Sequence, residues 1–467
     1  MGQSVDFHVT LAGRGDLTAR IYRQLLDAVL DGRLRPGERL PPTRELAASL
    51  EVSRNTVAAA YDRLTAEGFV VGRVGAGTFV AAESVTRVGA RRASRQAPAG
   101  RSVRPRRLWD AIPAPVPAGP PPEFDFRVGA PDAGLFPAGA WRRLVAAEMR
   151  AVPTAEYADP AGHPGLRAAI ARHVGVSRSV RAGADDVLVT HGAQQALDLI
   201  GRVLVEPGSC VAVEEPGYPP ARRLFQSHGA RVVGVPVDAE GLVVSAIPPD
   251  ARLVYVTPSH QFPLGTPLSP GRRADLLGWA ERHRTVIVED DYDSEFRFSD
   301  RPLEPLQSLD GAGRVIYVGS FSKTMLPVLR QGFLIAPASL RTALRTAKQL
   351  LDWHGDSYAQ GALARFIEDG LLARHIRRAS RVYAARRERI IAAVADRFDL
   401  VPSAAGLHLC VRTGPEAADI VARAARVGVA VESLTAYCGE EPQHGLVIGW
   451  GAISDVEEGL RRLRRCF

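Results

Sequence analysis

Lysine is nearly absent from this 467-residue chain: of its 59 basic residues, only Lys323 and Lys348 are lysines. Arginine cannot stand in where an amine must lose its proton and attack a carbonyl, because a guanidinium stays protonated and delocalised. Side-chain amine chemistry is therefore confined to two positions. Lys348 lies in a helical stretch, RTALRTAKQLLDW, where a basic residue needs no special account. Lys323 still has to be explained. Cysteine is also scarce. Cys210, Cys410, Cys438 and Cys466 are scattered with no C-x-x-C pair, so neither a disulfide framework nor a zinc site is indicated. No run approaches the roughly 18 apolar residues of a membrane span. The start, MGQSVDFHVT, has neither the basic flank nor the apolar core of a signal peptide. The chain is expected to remain in the cytoplasm with no membrane partner.

With 46% hydrophobic residues, the chain is too long for one core and calls for several domains. Its net charge of +8 is unevenly placed. Residues 1–83 carry ten arginines and ten acidic residues, whereas residues 84–122 carry eight arginines against Asp110 alone. That second segment ends in IPAPVPAGPPP and has no apolar periodicity, which marks a linker, flexible at first and stiffer toward its prolines. A tether is its simplest role. Its charge would also add salt-sensitive attraction to phosphates.

In the segment 1–83, Leu17, Ile21, Leu25 and Val29 recur at helical spacing and predict a first helix ending near Gly32. Thr43 is placed to cap a short helix, RELAASL, and Ser53 to cap a second, ending at Gly68. FVVGRVGAGTFVA then reads as two short strands around a tip with Gly75 and Gly77. Helix, helix-turn-helix and β wing is a DNA-binding arrangement, in which the second helix of the pair enters the major groove of double-stranded DNA. Ser53, Arg54, Asn55 and Thr56 gather at that helix's N-terminus, within reach of phosphates and base edges. A lone arginine such as Arg54 is ordinarily just solvated; the spacing of the whole segment gives it a DNA-binding role.

The motifs L-x-P-G-x-x-L-P-x-x-R-E-L-A, V-S-R-N-T-V-x-x-A-Y-x-x-L and E-G-x-V-x-x-R-x-G-x-G-T-F-V resemble the GntR family of winged-helix regulators, a resemblance that covers residues 16–82. The resemblance implies that Arg44, Arg54, Asn55 and Thr56 touch operator DNA and that the wing around Gly77 reaches the neighbouring minor groove.

From residue 123 onward, β-branched runs alternate with Ala/Leu/Arg-rich helices: DVLVT (186–190), CVAVEE (210–215), RLVYVT (252–257), TVIVED (285–290) and RVIYVGS (314–320). The alternation predicts an α/β fold with a mainly parallel sheet and chemistry at the C-terminal strand ends. After the first run, backbone amides of Gly192, Ala193 and Gln194 open a helix and offer a phosphate cradle. Other strand ends place Asp290 with Tyr292, and Ser320, Ser322 and Lys323 with Arg330. These residue types suit pyridoxal phosphate. That cofactor needs an amine for its aldehyde, a carboxylate opposite its pyridine nitrogen and a phenol beside its ring hydroxyl. It also needs hydroxyls and an arginine for its phosphate, and an aromatic face, a role open to Tyr218. Singly, most of these would be caps or loop residues; together with one of only two lysines they point to the cofactor.

Residues 125–467 resemble fold-type I aminotransferases, with a large part at about 123–345 and a smaller one at about 346–467. The whole chain resembles the MocR subgroup of GntR regulators, through YADPAGHPGLRAAIA, EEPGYP, EDDYDSEF and GSFSKTMLPVLR. The resemblance implies that Lys323 carries the cofactor, Asp290 meets the pyridine nitrogen and Tyr292 the ring hydroxyl. It also implies that Tyr218 stacks on the ring and that Gln194, Ser320, Ser322 and Arg330 hold the phosphate. A head-to-tail homodimer is implied as well. Three positions depart from the aminotransferase pattern. Phe262 stands where an asparagine usually meets the ring hydroxyl, a change shared by the MocR subgroup. Val447 stands where an arginine would grip a substrate carboxylate, and Pro220 where some subgroup members carry a second one. The expected protein is thus a ligand-responsive regulator rather than an enzyme. Its effector is pyridoxal phosphate itself or another small molecule, and vitamin B6 metabolism is the expected target. A working aminotransferase with a DNA-binding appendage is the alternative.

Overall fold

A computed structural model describes residues 16–81, 104–114, 119–150, 156–298, 303–403, 405–453 and 455–467. Most of the Arg/Pro-rich linker lies outside them. The chain divides into two compact units, Met1–Pro105 and Arg106–Phe467.

In the first unit, helices α1 (Leu17–Leu30), α2 (Thr43–Ser49) and α3 (Arg54–Ala66) precede the antiparallel strands β1 (Val70–Arg73) and β2 (Gly77–Val80). Asp16 starts α1 by accepting from the Thr18 amide at 2.9 Å, and the helix buries Ile21, Leu25 and Val29. Ser53 caps α3, accepting from the Thr56 amide at 3.1 Å. The cap expected at Thr43 does not form: Pro42 occupies that position without a side-chain bond, and Thr43 is already helical. The proline ring fixes the entry dihedral by itself, so no hydroxyl is required there. Val57, Ala60, Tyr61 and Leu64 bury one face of α3, and the Tyr61 hydroxyl donates to the Pro41 carbonyl at 2.8 Å, fastening α3 to the turn before α2.

The second unit is built on an eight-stranded sheet in the order β4-β11-β10-β9-β8-β5-β6-β7, after a short strand β3 (Phe124–Asp125). Its strands are β4 (Val187–Thr190), β5 (Cys210–Glu215), β6 (Arg231–Asp238), β7 (Gly241–Leu242), β8 (Ala251–Val256), β9 (Val286–Asp291), β10 (Val315–Ser320) and β11 (Gly332–Ile335). All run parallel except β7 and β11. Alternate residues feed opposite faces. Val211, Leu253, Val288 and Val318 pack with Leu197 and Ile200 of helix Gly192–Leu204. On the other face, Ala212, Val254 and Ile287 meet Leu276 and Trp279 of helix Pro270–His283. Burial on both faces explains why these strands read as continuous apolar runs. A smaller sheet, β12 (Asp399–Leu400), β13 (His408–Arg412), β16 (Gly445–Gly449) and β15 (Glu432–Ser433) in that order, packs with helices Leu371–Val394, Ala417–Arg426 and Val456–Arg464. β14 (Val429–Ala430) pairs with β3. Among the described residues, no helix is long and apolar enough to cross a membrane.

Candidate functional site

The C-terminal ends of the parallel strands open into a cavity of about 400 Å³ whose walls include Ala193, Gln194, Tyr218, Asp290, Tyr292, Ser320, Ser322, Lys323 and Arg330. A roomier open cleft of about 710 Å³, lined by His173, Glu295 and Arg297 among others, shares no residue with it. In the β9–β10 register Val318 pairs with Asp290 and Gly319 with Asp291, so the Asp290 and Ser320 strand ends lie side by side.

Strand alternation separates two adjacent carboxylates. Asp291 points to the Arg178 side, with Arg178 Nε at 2.8 Å and the Tyr317 hydroxyl donating at 2.6 Å. Burial alone would raise its carboxyl, but the guanidinium holds it below the usual carboxylate range. Asp290 points into the cavity. Its Oδ2 accepts from the Tyr255 hydroxyl at 2.7 Å, while its buried Oδ1 has no partner. Burial pushes this carboxyl up to about 7. A buried acceptor left free is costly unless something occupies it, and a protonated pyridine nitrogen is a matching donor.

Lys323 Nζ donates to the Gly129 carbonyl. Burial lowers the pKa of its amine, against the pull of Asp293 and Asp290, which favours the nucleophilic neutral form. The opposite end of the cavity is equally defined. Helix Gly192–Leu204 begins without a side-chain cap, leaving its first-turn amides open to an anion. Ser320 Oγ and Ser322 Oγ lie 3.0 Å apart, and Arg330 Nη2 donates to the His191 carbonyl at 2.8 Å. Gly192 adopts φ +74°, and a Cβ there would meet the Arg330 guanidinium at 3.0 Å, so the glycine lets arginine and helix end close on one point.

The ring site is aromatic on one side. Phe262 stands edge-on to Tyr218, Tyr292 and Tyr437 at centroid distances of 5.5, 5.8 and 5.1 Å. Burial raises the Tyr218 hydroxyl to about 12 and lifts the Tyr292 hydroxyl well above its ordinary value too, so both remain protonated donors. Tyr292 donates to the His260 carbonyl at 2.9 Å, and His260 Nδ1 lies 2.9 Å from the same hydroxyl and 3.2 Å from Asp293. These residues fit pyridoxal phosphate: amine, free carboxylate, phenols and phosphate cradle converge on one cavity. When bound, the cofactor supplies an aldehyde for Lys323 and an electron-withdrawing ring.

Sequence reasoning passed over several neighbours. Tyr255 is hidden inside an apolar run, and His260 within TPSHQFPLG. Lys348, read as unremarkable, is 1% exposed and donates to Asp352 at 2.5 Å. Asp352 accepts from Gln195 Nε2 at 2.7 Å, and Gln195 Oε1 accepts from the His191 amide at 2.9 Å. The second lysine thus braces the first turn of helix Gly192–Leu204. Of the departures noted above, Phe262 and Pro220 line the cavity, while Val447 is fully buried in β16 behind it.

In the winged-helix unit, Arg44, Arg54 and Asn55 are exposed, and Arg54 Nε lies 3.5 Å from Thr43 Oγ1. Ser53 Oγ is occupied with Thr56, as amide acceptor and as hydroxyl neighbour at 2.8 Å. Gly77 is partly buried, and a Cβ there would strike Arg39 Nε at 2.7 Å. The exposed part of the wing is residues 71–76, with Val74 the most exposed of its large apolar side chains.

Two families match this chain: the bacterial regulatory proteins of the gntR family over residues 17–80, and the class I and II aminotransferases over residues 125–443. A probable rhizopine catabolism regulatory protein, MocR of Rhizobium meliloti, is 38% identical over 96% of this chain and 93% of its own length. PdxR of Corynebacterium glutamicum, a pyridoxine biosynthesis transcriptional regulator, is 32% identical over 95% and 94%. Among solved structures, a kynurenine aminotransferase of Pyrococcus horikoshii superposes with a TM-score of 0.67 at 27% identity, covering 73% of this chain and 90% of that one.

Proposed function

This chain belongs to the MocR-type regulators of the GntR family, and from that premise we propose that it binds pyridoxal phosphate through Lys323 and that the state of this pocket sets operator binding. The observation that carries the reading is the unpartnered Oδ1 of Asp290, in the same cavity as an amine of lowered pKa and an uncapped helix end. Arg44, Arg54 and Asn55 meet the major groove of double-stranded DNA, Ser53 and Thr56 hold the N-terminus of α3 against a phosphate, and the wing around Gly77 enters the minor groove.

Pyridoxal phosphate itself is the proposed signal, and vitamin B6 metabolism the target. Two things support this. Among the described residues Arg330, already at the proposed phosphate cradle, is the one arginine lining the cavity, and none of them offers a second guanidinium there for an amino-acid carboxylate. The likeness to a pyridoxine biosynthesis regulator points the same way. Titrating pyridoxal phosphate into cofactor-free protein on its own promoter should change the footprint and transcription over the range that fills the site; no change would sink this reading. The second reading, an aminotransferase with an attached DNA-binding unit, draws on the likeness to a kynurenine aminotransferase. Steady consumption of an amino donor with a keto acid would favour it. We place the protein in the cytoplasm as a head-to-tail homodimer. An apolar surface supports the dimer, with Tyr157 and Trp353 rings 4.5 Å apart at 74% and 49% exposure, near an 83% exposed Leu350 in sequence.

A further inference from the structure

The cavity's charged groups fall into two sets. Asp290, Lys323 and Arg330 are taken up by the cofactor's pyridine nitrogen, aldehyde and phosphate. Outside that set stand Asp293, whose carboxylate is occupied by His260 and the Leu407 amide, and Glu432, the first residue of β15. The Glu432 Oε2 accepts from the Val128 amide at 2.8 Å, and the Tyr437 phenol is an electrostatic neighbour. The next residue after Val128 is Gly129, whose carbonyl receives Lys323 Nζ. The carboxylate is thereby fixed on the amine side of the cavity, next to where a small molecule would sit beside the cofactor.

Nearby guanidiniums are committed elsewhere. Arg222 is bound to Glu215, and Arg127 grips Asp125 through Nε at 2.9 Å and Nη2 at 2.7 Å, contributing only a distant attraction to Glu432. Arg330 sits at the His191 end. The residue opposite Glu432 across the β15–β16 ladder is Val447, whose side chain shares that face of the sheet and brings no charge. Burial drives His408, the remaining basic group in the lining, well below its ordinary pKa, so it stays neutral.

We propose that Glu432 is the specificity-determining residue of this pocket, and that the ligand it admits beside the cofactor is a primary amine without a carboxylate, such as an amino alcohol or a diamine. Two carboxylates facing each other in a partly dry cavity repel strongly, whereas a hydroxyl or ammonium at the ligand's far end is a donor for Glu432. Exclusion of this kind sets specificity as effectively as attraction. It also insulates a cofactor-reading site from the abundant amino acids of the cell. The inference rests on the reading that Lys323 and Asp290 hold pyridoxal phosphate.

The test uses full-length protein loaded with pyridoxal phosphate, its visible absorbance band recorded first. Calorimetric titration then compares L-alanine with L-alaninol, and 4-aminobutyrate with 1,4-diaminobutane, on wild type and Glu432→Gln. Glutamine keeps an acceptor for the Val128 amide. Wild type should prefer L-alaninol and 1,4-diaminobutane by about tenfold or more, and Glu432→Gln should shrink that ratio to within about threefold by improving the carboxylate-bearing partners. Equal or tighter wild-type binding of the carboxylates, no binding by either pair, or an unchanged ratio in the variant would overturn the proposal. The wild-type ratio decides by itself should the variant fail to fold. A protein that gives no visible band fails earlier, at the cofactor reading, and the two failures are thereby told apart.

Discussion

The two units of this protein present their working groups in opposite ways. At the N-terminus of α3, Arg54 and Asn55 stand in the open on a helix held by its own cap and by the buried stripe Val57, Ala60, Tyr61 and Leu64. Fold and function use different side chains there, so losing a contact residue should cost binding and little stability. In the strand-end cavity, Asp290 and its neighbours are buried, and the groups that act are also groups whose burial the fold must tolerate. On the proposed reading, the unpartnered Oδ1 of Asp290 is a standing cost to the empty protein and a gain to the filled one. One unit is made to meet an existing surface, and the other is left incomplete until a ligand arrives.

The largest effect expected is at Lys323. Lys323→Ala removes the amine without touching the phosphate cradle, and should abolish the visible band of the loaded protein while leaving weak phosphate-anchored binding detectable by calorimetry. A surviving band would mean that the lysine does not carry the cofactor.

Asp290 comes next and tests the idea of an incomplete site. Its carboxyl, ordinarily near 3.8, is pushed up to about 7 in the folded protein by burial. Below about pH 4 it is protonated in folded and unfolded chains alike. As pH rises from there toward 7, the unfolded chain ionises while the folded one keeps its proton, so stability falls by up to about 1.4 kcal/mol per pH unit and levels off above 7. Cofactor-free wild type should therefore lose stability against cofactor-free Asp290→Asn across that window in thermal melts, and cofactor, by pairing with the carboxylate, should abolish that loss. Parallel pH profiles for the two proteins would contradict the placement of a free carboxylate here.

Arg54→Ala asks the complementary question of the other unit. Operator affinity should drop about tenfold, in keeping with the ~1–3 kcal/mol of a specific base contact, and the melting profile should barely move, as for surface substitutions within about 0.5 kcal/mol. A loss of stability comparable to the loss of binding would erase the contrast between the units. Fluorescence anisotropy on the promoter fragment at two salt concentrations reads both the affinity and the phosphate share of it.

The same contrast governs what the sequence revealed. The winged-helix unit could be read almost residue by residue, since its signals are local: Ser53 as a cap, a fourfold apolar spacing in α1, glycines at the turns. The one local error, Thr43, arose because a proline and a threonine compete for the same role one residue apart. In the cavity, strand-end position and residue type were enough to nominate Asp290, Tyr292, Ser320 and Lys323. Glu432, His260 and Tyr255 were not, because their importance comes from packing between segments far apart in the chain: Glu432 meets the Val128 amide across 304 residues. Spacing also gave no warning that Asp290 and Asp291, adjacent in sequence, would differ so sharply; only Arg178, 113 residues from Asp291, decides that.

Lys348 is where sequence reading and structure part most clearly, and it supplies the smallest predicted effect. Scarcity made both lysines conspicuous, and helical context made this one look incidental. Its amine instead anchors Asp352, which holds Gln195, which holds the His191 amide, while the His191 carbonyl receives Arg330. The chain of bonds ends at the phosphate cradle, so Lys348→Met should weaken cofactor binding without altering the chemistry at Lys323. Asp352 is only partly buried, with a side chain 29% exposed, and water can replace part of the lost partner. The loss should be near 1 kcal/mol, or about three- to tenfold in cofactor affinity, with the absorbance maximum unchanged. Because the brace acts on the phosphate end, pyridoxal lacking its phosphate should bind wild type and variant alike. Equal weakening of both forms would show that Lys348 supports the fold at large, and the link from the second lysine to the first would be broken.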